Sequence, residues 1–504
     1  MRRFVPTTLA RDLPASFVVF LVALPLCMGI AVASGVPPEK GLLTGIIGGI
    51  VVGLLAGSPL QVSGPAAGLA VVVYGIVQEH GVGMRGPVLV LAGLVQIVAG
   101  LLRLGQLFRA ISPAVVHGML AGIGVLIVAG QLHVLLDGAP LPGGLTNLAA
   151  VPGAFLGLLP LDGDGAETAL LVGFVTIAAM LGWERFRPSR LRLLPGALLG
   201  VCAGTAVATV WTLPVKRVVV PEAIWNSLAP PALGDLARLA EPEMLLTALA
   251  VAFIASTETL LSAAAVDRMH DGPRTAFNRE LSAQGVGNLL CGLAGALPMT
   301  GVIVRSSANV QAGAVTRLSA VLHGVWLLAL VALMPWLLRQ VPTASLAGVL
   351  VVTGWRLIGV DHVRHLLHRY GALPAVIWAA TFVTVVAVDL LTGVLVGLAL
   401  AFLEAAPYFG RLHVRVRQRQ MVQGGMEVRV SGVATFLQLP GLAQALEAVP
   451  PAEVLYLKTG ALSHMDHACA EMLVEWIRRR RAAGSRLVLD RRSAARHDGL
   501  AALG

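Results

Sequence analysis

Charge is what this sequence has least of. Asp, Glu, Lys and Arg together make up 13% of its 504 residues, against 56% hydrophobic residues. The charged share is about half that of an ordinary soluble domain. With a mean hydropathy of +0.81, most of the chain is expected to lie in lipid rather than around a water-facing core. Cysteine is also scarce. Cys27, Cys202, Cys291 and Cys469 lie far apart, and no C-x-x-C pair occurs. That excludes a disulfide scaffold, a zinc ribbon and a thioredoxin-type redox site, and leaves buried packing as the expected role of all four. No cluster of nucleophile and base or of metal ligands is found, so an enzyme, a bound cofactor and a metal site are not expected. The 37 Lys and Arg outnumber the 27 Asp and Glu, for a net charge of +10. The excess collects in a few loops and the tail, as membrane-orientation signals do, and does not point to nucleic acid.

Apolar runs fill the space left by the charges. Fourteen segments are expected to cross or enter the membrane: 17–35, 41–57, 63–79, 87–102, 113–132, 168–183, 193–213, 244–265, 281–297, 302–313, 318–338, 343–359, 372–388 and 390–406. The first follows Asp12-Leu13-Pro14, is followed at once by others, and is read as an uncleaved span. Arg2, Arg3, Arg11, Arg103, Arg109, the 184–192 loop, Arg268, Arg274, Arg279, Arg356, Arg364, Arg369 and Arg411 to Arg419 all fall on one side of such a topology. By the positive-inside rule that side is the cytoplasm, with both termini on it, in a bacterial-type inner membrane. His362, His365 and His368 lie in one of these basic loops and are read as part of a lipid-facing segment rather than a metal site.

The halves repeat. Lys40, Gly48, Gly53 and Pro59 recur 239 residues later as Arg279, Gly287, Gly292 and Pro298. Seven spans per half is an odd number, so the second half must be inverted relative to the first. The transmembrane part is assigned to 1–410, with repeat one at about 12–213 and repeat two at about 244–406. Beyond it the pattern changes. Strand-like Met426 to Val430, strand-like Val454 to Lys458, a helix over Ala468 to Arg481 and a third strand at Arg486 to Asp490 indicate a small α/β domain over 424–495.

Two segments interrupt the apolar pattern at corresponding places. They are Ser58 to Gly68, with Pro59, Gln61, Ser63, Gly64 and Pro65, and Leu297 to Ser307, with Pro298, Gly301 and Arg305. A pair of such Gly/Pro-broken segments in the two halves marks a transporter binding site. A helix that starts inside the bilayer aims unpaired N–H groups and its positive dipole end at the site, which suits an anion. Ser63, Gly64, Pro65, Ala66, Ala67 and Gly68 are therefore candidate substrate-binding residues, together with Gly301, Val304, Arg305 and Ser306. Ala23, Pro25 and Cys27 of the first span are candidates for the opposite wall. Ser306 and Ser307 either donate to the anion or bond back to their own helix. Arg305 costs at least about 2.5–3.5 kcal/mol at mid-membrane, so something must compensate it, either a substrate anion or an ion pair with Glu258. Glu258 and Ser262, four residues apart on one helix face, are the candidates for a coupling ion, H⁺ or Na⁺.

These stretches carry a family likeness. Asp12 to Ala15, Ala23-Leu24-Pro25 with Ala31 to Pro37, Ser63-Gly64-Pro65 and Ile111-Ser112-Pro113 occur in order in the first half. Thr257 to Leu261, Asn278 to Leu281, Gln284-Gly285, Gly287-Asn288 and Arg305 with Ala312-Gly313 occur in the second. The chain resembles the SulP anion transporters (solute carrier family 26 in animals) over nearly its whole length, and is most similar to the bacterial bicarbonate branch. The resemblance implies a core of spans one to four and eight to eleven moving against a gate of the rest. It also implies a site between half-helices three and ten, a cytosolic STAS domain and a homodimer. In sodium-coupled bicarbonate members Glu258, Ser262 and Gly301 have counterparts, but Ile303 stands where those place a Thr, which argues against sodium. Asp466 stands where phosphorylatable STAS relatives have Asp-Ser, but His467 follows it, so no phosphoserine switch is expected there.

The function expected is secondary transport of a small anion: bicarbonate, sulfate, chloride or a dicarboxylate. The alternatives are an uncoupled exchanger or channel, and a nucleobase permease of the same fold. Arg305 in span ten disfavours the last, because such permeases place an acid there.

Overall fold

The computed structural model describes residues 6–105, 112–141, 143–158, 165–191, 193–270, 272–359, 372–407, 414–421 and 425–489. The basic loop with His362, His365 and His368 lies outside them, as do Asp490 to Ala495 at the end of the α/β segment. Two compact units are present: residues 1–105, 123–358 and 386–389, and residues 106–122, 359–385 and 390–504.

The first unit holds the two broken segments. Helix α1 (Pro6–Ala33) starts eleven residues before the expected 17, running straight through Asp12-Leu13-Pro14. Asp12 does not stop it, because its carboxylate is buried and accepts from the backbone N–H groups of Val315 and Thr316 at 2.8 and 3.1 Å. Helix α2 (Pro38–Leu55) contains a π turn at Gly48–Val52, where Gly49 lies against Gly324. Strand β1 (Ser63–Pro65) precedes the short helix α3 (Ala70–His80), and helix α4 (Arg85–Leu101) follows. Helices α5 (Pro113–Leu135), α6 (Gly144–Leu156), α7 (Gly165–Phe186) and α8 (Gly196–Val210) complete the first half. Helix α6 lies within what the sequence suggested was a plain loop. Its 13 residues carry no charge, and the helix forms despite Pro152 in its interior.

The second half mirrors this order. It comprises α9 (Pro242–Asp267), α10 (Phe277–Leu293), strand β2 (Met299–Gly301), the nine-residue helix α11 (Ile303–Gln311), α12 (Leu318–Leu333) and α13 (Thr343–Ile358). Strands β1 and β2 pair antiparallel, Ser63 opposite Gly301 and Pro65 opposite Met299, so α3 and α11 leave the crossing in opposite directions. That is the inversion the odd span count required. Residues 63–65, read from the sequence as the opening of a helix, are extended. Pro65 holds Gly64 out of the helical region, and Val302 N–H to Val62 O (2.9 Å) and Ala66 N–H to Pro298 O (3.2 Å) continue the ladder. Around the crossing, α4 and α10 approach so closely that a Cβ on Gly93 would lie 2.4 Å from the Leu289 backbone nitrogen. Small residues at such contacts are how membrane helices pack.

The second unit contains α14 (Ala372–Ala387), α15 (Leu390–Ala405) and a four-stranded sheet. The strands are β3 (Val414–Met421), β4 (Gly425–Ala434), β5 (Val454–Met465) and β6 (Arg486–Leu489), in that spatial order. The β3–β4 pair is antiparallel and the rest are parallel, with α16 (Leu439–Glu447) and α17 (His467–Ala482) as crossovers. Strand β3 was not anticipated. Val414 and Val416 alternate with Arg415 and Arg417, the period of a strand, but the arginines read more strongly as an orientation signal. Val428, Val430, Leu455, Leu457, Leu473 and Ile477 form the core of this domain.

Asp466 fixes the start of α17. Its carboxylate accepts from Cys469 N–H at 2.9 Å and also from Phe436 N–H. Burial first, and the Asp466 charge second, hold the Cys469 thiol well above its ordinary pKa, so it stays protonated and unreactive. Asp466→Ala removes the cap and orphans both amides. A loss of about 1–2 kcal/mol is expected, seen as roughly 5–30-fold faster hydrogen exchange in the first turn of α17. Unchanged exchange would show that the cap is dispensable.

Of the four cysteines, Cys27, Cys291 and Cys469 are buried as expected, whereas Cys202 on α8 is exposed.

Candidate functional site

Helices α3 and α11 both begin without a side-chain cap. Each leaves first-turn N–H groups with no partner inside its own helix, and each starts from the β1–β2 crossing. Small residues Gly64, Ala66, Ala67 and Gly68 lead into α3, and Gly301 precedes Val302 at the start of α11.

Arg305, in the first turn of α11, turns into the protein. It is fully buried, and its Nε, Nη1 and Nη2 have no hydrogen-bond partner. No ion pair between Glu258 and Arg305 occurs among the described residues, so of the two compensations left open this one is not seen. The guanidinium lies instead against Gly64, where a Cβ would fall 1.9 Å from Nη1. The Cys27 thiol and the His323 ring of α12 are its other neighbours. His323 is fully buried and its Nε2 is also unpartnered.

Glu258 sits over the other glycine of the motif. A Cβ on Gly68 would lie 1.7 Å from its Oε1, and the Thr300 hydroxyl of β2 bonds its carboxylate. Gly64 and Gly68 therefore do more than expose backbone N–H groups. Each vacates the volume that a charged side-chain tip occupies. Gly301 does the same for Gln61, whose Nε2 would be 1.3 Å from an added Cβ.

The remaining candidates divide. Ala23, Pro25, Cys27, Ser63, Pro65, Ala66 and Ser262 are buried close to the core of the unit, and Ala67 is partly exposed. Val304, grouped with Arg305 in the sequence, lies on the other face of α11 and is 48% exposed, because consecutive helical residues point about 100° apart. Ser306 bonds back. Its hydroxyl donates to Val302 O at 2.7 Å and accepts from Val62 N–H at 2.9 Å. Ser307 donates to Val304 O at 3.0 Å. Of the two readings left open for these serines, the structure has the local one.

Of the polar frame beneath the crossing, the sequence pointed to an interhelical hydrogen bond only at Asn288, which indeed donates to Gln96 Oε1 at 2.8 Å; the rest was missed. Gln61 Nε2 donates to Thr259 O at 3.1 Å, and Gly301 N–H to Thr259 Oγ1 at 3.2 Å. Gln284 Nε2 donates to Ser63 Oγ at 2.5 Å and Glu280 Oε1 at 3.1 Å. Glu280 Oε2 accepts from Gly57 N–H and Ser58 N–H at 2.8 and 2.9 Å. Asn288 clamps Met299 through both its N–H (2.8 Å) and its carbonyl (3.1 Å). A signal was available: Glu280, Gln284 and Asn288 recur every four residues in an apolar span, which places them on one helix face. His323 had no such pattern around it.

This chain is similar to several known proteins. Residues 9–381 match the sulfate permease family. YvdB of Bacillus subtilis (strain 168), which carries the name of a sulfate transporter, is 32% identical over 78% of this chain and 72% of its own length. The bicarbonate transporter BicA of Picosynechococcus sp. is 27% identical over 76% of this chain and 67% of its own. The solved transmembrane domain of a cyanobacterium bicarbonate transporter BicA superposes with a TM-score of 0.66 at 25% identity, covering 78% of this chain and 98% of that one. The likeness extends to the C-terminal α/β domain: the overall structure of SLC26A9, at 16% identity, gives a TM-score of 0.70 over 98% of this chain and 86% of that one. With its paired half-helices and C-terminal STAS-like domain, the chain belongs to the sulfate permease family of anion transporters.

Proposed function

We propose that this protein is a secondary transporter of a small oxyanion, bicarbonate or sulfate, driven by a proton gradient. The observation that supports an anion best is Arg305, a buried guanidinium with three unpartnered nitrogens beside two uncapped helix N-termini. A positive charge without a protein partner is a site waiting for a negative one. Substrate would bind between the starts of α3 and α11, feeling Arg305 through its field, while the core carries the site past the gate in an elevator-like movement. Both termini would lie in the cytoplasm of a bacterial-type inner membrane, and two copies would associate as a dimer.

Glu258 is assigned the coupling role. It lies in α9 among Ser256, Thr257, Thr259 and Ser262, and the Thr300 hydroxyl bonds its carboxylate. Sodium would require several oxygen ligands, and Ile303 removes one that the sodium-coupled pattern supplies. Uptake of labelled anions into proteoliposomes tests this. A proton gradient should drive concentrative uptake by the wild type, and Glu258→Gln should retain only exchange. If sodium drives uptake, the coupling ion is wrong. If neither gradient matters and Glu258→Gln behaves normally, the protein is an uncoupled exchanger or channel and Glu258 is structural.

A further inference from the structure

One cluster outside the candidate transport site brings metal-ligating atoms of two helices to a common point. Glu79 and His80 end α3, and Glu243 stands in the first turn of α9. His80 Nε2 is 3.4 Å from Glu243 Oε1 and 3.8 Å from Glu79 Oε2. One ligand atom from each of the three residues lies within 4.8 Å of the other two. The imidazole is enclosed, its side chain only 16% exposed, whereas those of Glu79 and Glu243 are 71% and 70% exposed. The ends of the helices fix this arrangement. Gly81, at φ +85°, stops α3 directly after His80, and Pro242 starts α9 directly before Glu243. No metal-ligand pattern showed in the sequence because Glu243 lies in the other half of the chain, and only the fold joins it to His80.

The spacing suits a shared ion better than a direct ion pair. Both separations exceed the length of an ordinary N–H···O bond, about 2.7–3.2 Å, and pairs with carboxylates this exposed contribute little. Two ligands each about 2.0–2.1 Å from a tetrahedral Zn²⁺ stand roughly 3.3 Å apart. Small rotations of the exposed Glu79 and Glu243 side chains would therefore complete three bonds to one ion. An imidazole nitrogen with two carboxylates is a donor set for a divalent transition metal, whereas Ca²⁺ and Mg²⁺ take oxygen ligands. With the imidazole neutral, two carboxylates balance the charge of one such ion. Two further features favour a cation. The negative end of the α3 dipole lies at His80, and another carboxylate is near, since Asp235 Oδ2 would lie 3.0 Å from a Cβ on Gly83. We propose that Glu79, His80 and Glu243 form a divalent transition-metal site, best suited to Zn²⁺, with water completing the coordination. The ion would join the last turn of α3 to the first turn of α9. Gly68, just ahead of α3, already lies against Glu258 of α9, so the two segments would then be held together at both ends of α3.

Zinc binding by the purified full chain, stripped of metal and of any affinity tag, tests this. Competition with a chromophoric zinc indicator at neutral pH should find one site with a micromolar Kd or tighter, and excess Mg²⁺ or Ca²⁺ should not displace the zinc. His80→Ala and Glu243→Gln should each weaken binding about tenfold or more, since even the outer partners of metal ligands carry that much. Glu243→Gln alters one exposed side chain without changing its shape, which keeps the test decisive if His80→Ala folds poorly. Co²⁺ in the same site should give a spectrum without thiolate charge-transfer bands, which separates it from the exposed Cys202. A variant with His362, His365 and His368 all changed to alanine should bind zinc as the wild type does. No zinc binding by the wild type would leave the three residues an ion pair only and overturn the proposal. Undiminished binding in Glu243→Gln, thiolate bands with Co²⁺, or loss of binding in the variant lacking His362, His365 and His368 would each overturn it as well.

Discussion

Arg305→Met should abolish anion uptake and at the same time make the anion-free protein more stable. Both effects follow from one geometry. The guanidinium is fully buried with three nitrogens unsatisfied, so in the absence of an anion it is a desolvated, uncompensated charge. Replacing buried charges by apolar groups of similar volume commonly stabilises by about 1–4 kcal/mol. Methionine is unbranched and flexible enough to fill the space beside Gly64 and Cys27. Transport should fall at least about 30-fold, the cost of about 2 kcal/mol or more when one member of a buried charge interaction is removed. Tm in detergent and uptake into proteoliposomes should therefore move in opposite directions. A drop in Tm would mean that Arg305 holds the fold together, and its role in the field at the site would have to be abandoned.

Three glycine-to-alanine changes should give two different kinds of damage. In Gly41→Ala the new Cβ would lie 1.9 Å from the Cys27 carbonyl oxygen. That is backbone, so α1 and α2 must move apart. Overpacking of this sort costs about 1–3 kcal/mol, and more where the backbone cannot yield, so a low Tm and poor recovery of folded protein are expected. In Gly68→Ala and Gly64→Ala the clashing atoms are Glu258 Oε1 and Arg305 Nη1, at 1.7 and 1.9 Å. These are tips of flexible side chains that can swing aside. Stability should change by less than about 1 kcal/mol, while the displaced charge ruins the site. Gradient-driven uptake should fall about tenfold or more in Gly68→Ala with exchange retained, a loss of roughly 1.4 kcal/mol. In Gly64→Ala both modes should fall. Wild-type coupling in Gly68→Ala would show that Glu258 need not occupy its observed place.

Those glycines illustrate what could be read in advance. The two broken segments stood out in the sequence because Pro59, Pro65, Pro298 and the intervening glycines interrupt runs that are otherwise uniformly apolar. Local chemistry was enough to find them, since proline and glycine act on their own backbone. The reason for Gly64 and Gly68 was not legible. Each makes room for a side chain about 190 to 240 positions away in the chain, and only packing brings Arg305 and Glu258 to them. Strand β3 was missed for a related reason. Its alternating pattern is weak by itself, and it becomes a strand by pairing with β4.

The sequence by itself determined that the chain is built of membrane-spanning helices, that its halves are inverted and that a small α/β domain follows. Each rests on composition, period or parity, which no tertiary contact can reverse. Tertiary structure alone decided the fate of the buried charges. It turned Arg305 inward and Val304 outward, gave Glu258 to Thr300 rather than to Arg305, and committed Ser306 to Val62. The physical reason is that the cost of a charge in a low-dielectric interior depends on what lies within a few ångströms of it. In this fold the glycines that accommodate the buried charges, Gly64 for Arg305 and Gly68 for Glu258, come from the opposite half of the chain.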